Sequence, residues 1–215
     1  MAEPKVVIIS DTHLTKKFSP AKFELLKKII TNCDQLIING DLWEGFSMSA
    51  QEFIASPWNQ LFGLFKQKGA IYLFGNHDPQ DNSVDYRQMV ASVARNYEFS
   101  QNGVDFYVVH GDYLDPTFDM RHPNLPKWIL NIGSLVDRML IQIFGWKYLE
   151  IYRWSNNKMK RWHQSNQTNK WLICGHSHLP EVDQKNKFAN SGIFLKPGLA
   201  SYLTVTNGQP ELQYV

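Results

Sequence analysis

The sequence has little of several features that would assign it to a specialised class of protein. It contains only two cysteines, Cys33 and Cys174, among 215 residues, which excludes a disulfide framework and a cysteine-rich zinc module. The 22 basic and 20 acidic residues leave a net charge of +2, which argues neither for nor against a nucleic-acid partner. With 43% hydrophobic residues and balanced charge, the chain is not intrinsically disordered. We expect a globular domain of ordinary composition.

Long apolar runs are also missing. The first run, Val6–Ile9, is too short for the hydrophobic part of a signal peptide. The most apolar region, residues 128–152, is interrupted by four charged residues, whereas a membrane-spanning helix needs about 20 consecutive apolar residues. The sequence therefore predicts a cytoplasmic protein. Contact of its central segment with the inner face of the membrane stays open as an alternative.

Short apolar runs alternate with helical patterns in the first half of the chain. Strands are predicted at residues 6–9, 35–38 and 70–74, with amphipathic helices over residues 20–30 and 49–66 between them. This alternation is typical of βαβ units and a parallel sheet covered by helices. A weaker helical pattern at residues 85–95 precedes another predicted strand at 104–109.

The last 46 residues have a different pattern. Short strands are predicted there, separated by turn signals such as Asn207-Gly208. The predicted strands are 171–174, 181–184, 188–195, 201–206 and 211–215. The sequence thus predicts that the chain ends in an antiparallel meander.

Residues 113–163 stand apart from both halves. The spacing of apolar residues between Leu135 and Phe144 predicts a long amphipathic helix. The segment holds eight basic residues against four acidic ones and four of the seven tryptophans, so it carries +4 while the rest of the chain carries −2. Two interpretations stay open: a helical hairpin docked on the sheet with its charges in solvent, or a cap over a functional site.

Five of the seven histidines follow strand-like runs, each beside Asp, Asn or Gly. Since ligand sites in open α/β sheets form at the carboxyl ends of strands, we expect these residues to meet. Side chains of His, Asp and Asn without a thiolate suit Mn, Fe, Zn or Co. Each motif alone is common, but five in sequence are not. The motifs are Asp11-Thr12-His13, Gly40-Asp41, Gly75-Asn76-His77-Asp78, His110-Gly111-Asp112 and Gly175-His176-Ser177-His178.

The order of these motifs resembles that of the calcineurin-like metallophosphoesterases, and the resemblance extends from Asp11 to His178. It implies an α/β fold of the four-layer α/β/β/α type. It also implies one domain over residues 1–215, with residues 113–163 as a helical, cap-like insert. The implied activity is metal-dependent hydrolysis of a phosphoric ester or anhydride.

The resemblance also implies a role for each motif residue. One divalent metal ion would bind Asp11, His13 and His178, the other would bind Asn76, His110 and His176, and Asp41 would bridge them. Two such ions about 3.5–4 Å apart can hold a phosphoryl group and lower the pKa of a shared water, whose hydroxide then attacks the phosphorus. Manganese is the first expectation, with Fe, Zn or Co as alternatives.

His77 is implied as a catalytic residue that protonates the leaving group or stabilises charge in the transition state. Asp78 would then hold the imidazole in the required tautomer. Asp112 either orients His110 or caps the start of the insert, and Glu44 hydrogen-bonds within its own loop. The segment Asn190-Ser191-Gly192 resembles a family motif that supports the site from a neighbouring strand. His122 and His163 are expected at the surface or on the substrate side.

The character of the insert suggests the substrate. A helical segment rich in Trp, Lys and Arg between two ligand motifs resembles the cap of the UDP-2,3-diacylglucosamine pyrophosphatases, which implies a lipid-linked nucleotide diphosphate. A soluble nucleotide or another small phosphoester is the alternative. A nuclease would need a basic groove for the phosphate backbone, and a non-catalytic scaffold would typically have lost ligand residues, so both are less favoured. The oligomeric state stays open.

Overall fold

Two β-sheets packed face to face form the centre of the molecule. The computed structural model describes residues 3–78, 80–115, 127–166 and 168–215, without the side chains of residues 127, 130 and 131. Seven strands of the described chain form the first sheet: β1 (Val6–Ile9), β2 (Gln35–Asn39), β3 (Ile71–Leu73), β4 (Ser92–Ala94), β10 (Phe194–Lys196), β11 (Leu199–Thr206) and β12 (Gln209–Tyr214). Five described strands form the second: β5 (Asn96–Gln101), β6 (Val104–Val109), β7 (Trp171–Cys174), β8 (Glu181–Asp183) and β9 (Phe188–Asn190).

The strand order brings the ends of the predicted strands together. The first sheet runs β10-β11-β1-β2-β3-β4 with β12 beside β11, and β1 to β4 are mutually parallel. The second sheet runs β5-β6-β7-β9-β8, in which β6, β7 and β9 are parallel. Parallel strands end at the same edge of a sheet, so the loops after β1, β2 and β3 share one edge, as do those after β6 and β7.

Apolar side chains fill the spaces between four layers. The core between the sheets contains Ile8 and Ile37 from the first sheet and Phe106 and Ile173 from the second. A larger core lies between the first sheet and its helices: α1 (Pro20–Thr31), α2 (Ala50–Ala55) and α3 (Phe62–Gln67). On the far side, Met159 of α6 (Arg153–Ser165) packs against the second sheet. The predicted α/β/β/α sandwich is therefore confirmed.

Two helix predictions are wrong in detail. The helix predicted over residues 49–66 is split, because Ser56 caps a new turn and Pro57 begins a 3₁₀ helix that separates α2 from α3. The helix predicted over residues 85–95 is a 3₁₀ turn, Tyr86–Gln88, followed by the edge strand β4. β5 was not predicted, although Asn102-Gly103, both at positive φ, turns the chain between β5 and β6.

The predicted C-terminal meander is also wrong as a whole. The run 188–195 contains two strands that belong to different sheets, since the chain leaves β9 at Ser191 and crosses to β10. β7 is parallel to both of its neighbours, β8 and β9 form an antiparallel pair, and in the described part of the chain the antiparallel meander consists of β10, β11 and β12. This crossing is useful for the site, because it links the two sheets beside the ligand loops.

The insert divides into parts with different surroundings. α4 (Lys127–Phe144) has Ile141 buried, while α5 (Trp146–Leu149) leads through the 3₁₀ turn Glu150–Tyr152 into α6. His163 is buried on α6, so the expectation of a surface or substrate-side position is wrong, and His122 lies outside the described residues. Among the described helices, none has the length and apolar character needed to cross a bilayer.

Candidate metal centre and active site

The seven predicted ligand residues converge where the two sheets meet. They lie in the loops after β1, β2 and β3 of the first sheet and after β6 and β7 of the second. Six of them are buried, and His178 is partly exposed. The loops are joined by backbone hydrogen bonds, among them His13 N to Asp41 O (2.9 Å) and Gly175 N to His110 O (2.9 Å). The sheets therefore hold the cluster at their common edge.

One group of donor atoms surrounds Asp11. His178 Nε2 lies 3.4 Å from Asp11 Oδ1 and 3.1 Å from His13 Nε2. Among the described residues, Asp11 Oδ1 is buried without a hydrogen-bond partner. A buried carboxylate oxygen normally has a hydrogen-bond partner or a cation. The three side chains thus offer one oxygen and two imidazole nitrogens at the distances expected of donors that share one ion.

A second group surrounds Asn76. Its Oδ1 lies 3.2 Å from His110 Nε2 and 3.0 Å from His176 Nδ1. Asp41 Oδ2 lies between the groups, 3.3 Å from His110 Nε2 and 3.9 Å from His13 Nε2. This carboxylate is thus positioned to be shared by two cations.

Outer hydrogen bonds select the nitrogen that each of two imidazoles presents. His110 Nδ1 donates to the carbonyl oxygen of Asn39 at 2.8 Å, which leaves Nε2 facing Asp41. The sequence allowed Asp112 as this partner, and the structure gives the Asn39 carbonyl instead. His176 is reversed: Nε2 donates to the carbonyl oxygen of Asp115 at 3.2 Å, which leaves Nδ1 facing Asn76. Such contacts fix the tautomer and orientation of metal-binding histidines.

The backbone of the ligand loops is strained. Five predicted ligand residues have positive φ: Asp11 (50°), His13 (42°), Asp41 (53°), His176 (66°) and His178 (63°). Side chains with a Cβ rarely adopt this conformation, and such residues cluster at functional sites. The strain turns these side chains toward the centre of the cluster.

Glycines in the motifs give the ligand side chains room. A Cβ on Gly40, which has φ of 82°, would lie 2.4 Å from His110 Nδ1. A Cβ on Gly175 would lie 2.5 Å from Asp11 Oδ2. Both separations are far shorter than a van der Waals contact. Each of these two glycines is therefore required because a larger residue would collide with a ligand side chain of another motif.

Glu44, and not Asp78, holds the imidazole of His77. His77 Nδ1 lies 2.8 Å from Glu44 Oε1, and the carboxylate of Glu44 is buried. Both oxygens of Asp78 instead accept backbone N–H groups, from Asp41 (3.0 Å) and Leu42 and from Gly75 (2.8 Å). The expectation that Asp78 orients His77 is therefore wrong. Asp78 joins the loop after β2 to the loop after β3 and so positions Asp41.

The buried groups influence each other's protonation. Burial lowers the pKa of His176 to about 4 and also lowers the pKa of His13, so both rings are neutral at pH 7, the form that binds metals. Burial opposes ionisation of Asp41, but the neighbouring rings of His110, His77 and His13 together outweigh it, and the pKa of Asp41 is well below its usual range. Burial and the Asp41 carboxylate raise the pKa of Asp78 to about 7.

Asn190 supports the last histidine motif from the neighbouring strand, as the sequence predicted. Its Nδ2 donates to the carbonyl oxygen of Gly175 at 2.7 Å, and its Oδ1 accepts the N–H of Gly192 at 2.8 Å. Ser191 extends the support to β1, since its Oγ lies 2.6 Å from Ser10 Oγ, directly before Asp11. The crossing from β9 to β10 therefore braces ligand loops of both sheets.

The helix α4 lies against the cluster. Ser134 Oγ donates to Glu44 Oε2 at 3.1 Å, and the guanidinium of Arg138 contacts the same oxygen. Asp137 accepts the hydroxyl of Tyr152, and its other oxygen lies 3.8 Å from His178 Nδ1. A cavity of about 230 Å³ lies between α4 and the cluster, with walls that include Asp41, His77 and Ser134. Sequence reasoning did not identify these contacts, although the helical spacing of Ser134 and Arg138 (i, i+4) places them on one face of α4.

The comparisons with known proteins agree with this geometry. A model of the calcineurin-like phosphoesterase family matches residues 4–180. The chain therefore belongs to the calcineurin-like phosphoesterases, a family of metal-dependent phosphoester hydrolases. No curated protein matches the chain significantly in sequence.

Solved structures with the same fold are distant in sequence. A metallophosphoesterase from Sphaerobacter thermophilus is 15% identical, with 99% of this chain and 88% of that chain covered at a TM-score of 0.51. A single mutant of Vps29 from Entamoeba histolytica is 12% identical, with 98% of each chain covered at a TM-score of 0.51. Vacuolar Protein Sorting 29 from Cryptosporidium parvum is 12% identical, with 99% and 97% covered at a TM-score of 0.50. These similarities concern the fold.

Proposed function

We propose that the chain is a dinuclear hydrolase of phosphoric esters or anhydrides. Asp11, His13 and His178 would bind one divalent ion, and Asn76, His110 and His176 the other, with Asp41 between them. The proposal is carried by the convergence of six side chains around Asp41 and by the buried Asp11 Oδ1, which has no hydrogen-bond partner among the described residues. Imidazole, amide and carboxylate donors fit Mn, Fe, Zn or Co, with Mn as the first choice.

When bound, two such ions would neutralise phosphoryl oxygens and acidify a shared water. The residues of the chain prepare the site for them. The Asp41 carboxylate supplies negative charge where two cations would repel each other. His110 and His176 present fixed nitrogens because their other ring nitrogens are bound to backbone carbonyl oxygens. Asp78 holds Asp41 in place through its backbone.

His77 would donate a proton to the leaving group. Its Nδ1 side is held by Glu44, so Nε2 is directed into the cavity above the cluster, 4.0 Å from Asp41 Oδ2. The Glu44 carboxylate can stabilise the imidazolium that carries this proton. Phe46 contacts the same ring, with 4.5 Å between ring centroids, and restricts its movement. Glu44 is thus a positioning residue for His77.

The substrate that α4 favours is a lipid-linked nucleotide diphosphate such as UDP-2,3-diacylglucosamine. α4 presents the site with polar side chains and turns a row of apolar ones to solvent: Trp128, Ile129, Ile132, Leu135, Val136, Met139, Ile143 and Phe144. A surface of this kind suits the interface of a bilayer, where acyl chains are accessible. In this proposal the insert 113–163 of a single domain caps the site and makes a peripheral contact with the membrane through α4.

Metal content and turnover of the parent and the His77→Ala variant test the proposal. We expect the parent to bind two metal ions and to hydrolyse bis(4-nitrophenyl) phosphate with Mn²⁺. His77→Ala should keep both ions and lose about 10²- to 10⁴-fold in kcat on an alkyl phosphodiester, whose leaving group needs a proton, and much less on the 4-nitrophenyl ester. An inactive parent with two bound ions would refute the mechanism, and an empty site in His77→Ala would refute the ligand assignment.

Substrate screening tests the proposal that the substrate is a lipid-linked nucleotide diphosphate. We expect UDP-2,3-diacylglucosamine to have a higher kcat/KM than cyclic nucleotides and simple aryl phosphates under the same conditions. A preference for a soluble nucleotide would contradict the lipid-linked substrate and leave the two-metal reaction intact.

A further inference from the structure

A second cavity, here called the basic cavity, opens on the other side of α4. It measures about 400 Å³ and is lined by the basic side chains Lys17, Lys22 and Arg138 and by apolar ones that include Trp58 and Leu135. His13 forms part of its wall, so it adjoins the candidate metal centre. None of its described lining residues is acidic. Its described lining therefore carries a net positive charge, and the guanidinium of Arg138 also contacts the Glu44 carboxylate.

Lys22 is the most unusual member of this group. Its side chain is buried, with 6% of the residue exposed, and Nζ donates to the carbonyl oxygen of Thr12, which lies between Asp11 and His13 in the chain. Among the described residues, no carboxylate lies within 4.0 Å of Nζ. A buried ammonium without an anionic partner is costly, because it has left water without gaining an opposite charge.

Lys160 is another buried lysine of this protein, and it does have carboxylate partners. It is 9% exposed, and its Nζ lies 2.5 Å from Glu181 Oε1 and 2.8 Å from Asp183 Oδ2. The charged group that acts on Lys22 is instead another cation, Arg138. Burial and this neighbour lower the pKa of Lys22 to about 7. Unlike Lys160, Lys22 therefore has no carboxylate partner among the described residues, and a bound anion would supply the missing opposite charge.

We propose that the basic cavity binds a second anionic group of the substrate, namely the phosphoryl group next to the one that reacts. The inference rests on the proposed function, and it specifies the substrate as a diphosphate. Arg138 links the two cavities, because its guanidinium contacts Glu44 beside His77 and also lines the basic cavity. Lys17, which is exposed, lies at the entrance.

The chemistry of a diphosphate explains the need for this charge. Hydrolysis of the anhydride forms a bond from the oxygen of water to one phosphorus and breaks the bond from that phosphorus to the bridging oxygen. The bridging oxygen leaves with the second phosphoryl group, which gains negative charge. Lysine and arginine side chains near that group would stabilise this charge as it develops.

Two substrates that differ by one phosphoryl group test the proposal. They are uridine 5′-(4-nitrophenyl phosphate) and its counterpart in which a diphosphate joins the same two groups. We expect Lys22→Met and Lys17→Ala to lower kcat/KM for the diphosphate at least about tenfold more than for the monophosphate, as expected for lost charge-assisted contacts. Lys28→Met, which removes an exposed lysine on α1, is the matched control and should change neither value.

The outcomes separate this inference from the proposed function. A parent that hydrolyses neither ester contradicts the proposed function. A parent that hydrolyses both, with equal losses in the lysine variants, overturns the basic cavity as a phosphoryl site. Inorganic phosphate that binds the parent through Lys22 without any preference for the diphosphate ester would also overturn it, because the cavity would then serve a free anion. Since Lys17 is exposed, Lys17→Ala keeps the test valid if Lys22→Met does not fold.

Discussion

The ligand loops and the helix α4 face each other across one cavity, but they are built differently. The loops are buried, tied to each other by backbone hydrogen bonds and held at positive φ. α4 meets them through Ser134, Asp137 and Arg138 and leaves most of its apolar side chains in solvent. In the proposed function, the loops carry the chemistry of phosphoryl transfer, and α4 selects the substrate.

Removing the bridging carboxylate should have the largest effect. We expect Asp41→Ala to lose both metal ions and at least about 10³-fold in kcat/KM, since two cations without the shared carboxylate would repel each other. Metal content by mass spectrometry and turnover of bis(4-nitrophenyl) phosphate measure this. Asp34→Ala, which removes an exposed carboxylate, is the control. Two ions retained in Asp41→Ala would show that the loops do not depend on this bridge.

Neutralising Glu44 should have a smaller effect that depends on the leaving group. Glu44→Gln keeps the size of the side chain but removes the charge that supports the His77 imidazolium. We expect kcat to fall about tenfold for an alkyl phosphodiester and much less for a 4-nitrophenyl ester, which needs little help from an acid. Equal losses on the two esters would mean that Glu44 acts on the structure of the loop alone.

Polar substitutions on the outer face of α4 should distinguish the role of α4 from that of the ligand loops. Ile132 and Val136 are 52% and 46% exposed. For the double variant Ile132→Ser and Val136→Ser, we expect the loss of kcat/KM on UDP-2,3-diacylglucosamine to exceed that on bis(4-nitrophenyl) phosphate about tenfold. Val93→Ser, at an exposed apolar position on β4, is the control. Equal losses on both substrates would argue against a lipid-binding role for α4.

The burial of Lys22 on α1, beside Arg138 of α4, should make the stability of the protein depend on pH. Burial and Arg138 lower the pKa of Lys22 from its ordinary value of 10.5, which applies to the unfolded chain, to about 7 in the folded protein. Between these values the unfolded state binds more protons, so stability rises with pH. We expect the free energy of unfolding of the parent, relative to Lys22→Met, to increase by about 3 kcal/mol from pH 7 to 10. A pH-independent difference in urea denaturation would contradict the buried, unpaired ammonium.

The sequence allowed the ligand loops to be predicted because each motif directly follows a buried apolar run. Val6–Ile9 and Trp171–Cys174 are strands as predicted. Parallel pairing then brings Asp11 close to Asp41 in the first sheet and His110 close to His176 in the second. Local sequence signals were enough to predict these loops, because the pairing of strands within each sheet and the packing of the two sheets bring the loops together. The glycines of the motifs could also be read from the sequence. The reason that position 40 requires glycine, namely its close approach to His110, depends on the fold.

Contacts that depend on a bend in the chain could not be predicted in the same way. Asp78 is the sequence neighbour of His77, but its side chain turns back to the loop after β2, and Glu44 reaches the imidazole from that loop. The crossing after Asn190 likewise depends on which sheet each strand joins, because strand propensity is the same on both sides of Ser191. The position of α4 follows from side chains such as Arg138, whose partners lie far away in sequence.

Anomalous diffraction from crystals grown with Mn²⁺ tests the two-metal site most directly. We expect two anomalous peaks, one among Asp11, His13 and His178 and one among Asn76, His110 and His176, each coordinated by Asp41. A single peak that Asp41 does not share, or a peak coordinated by His77, would contradict the assignment.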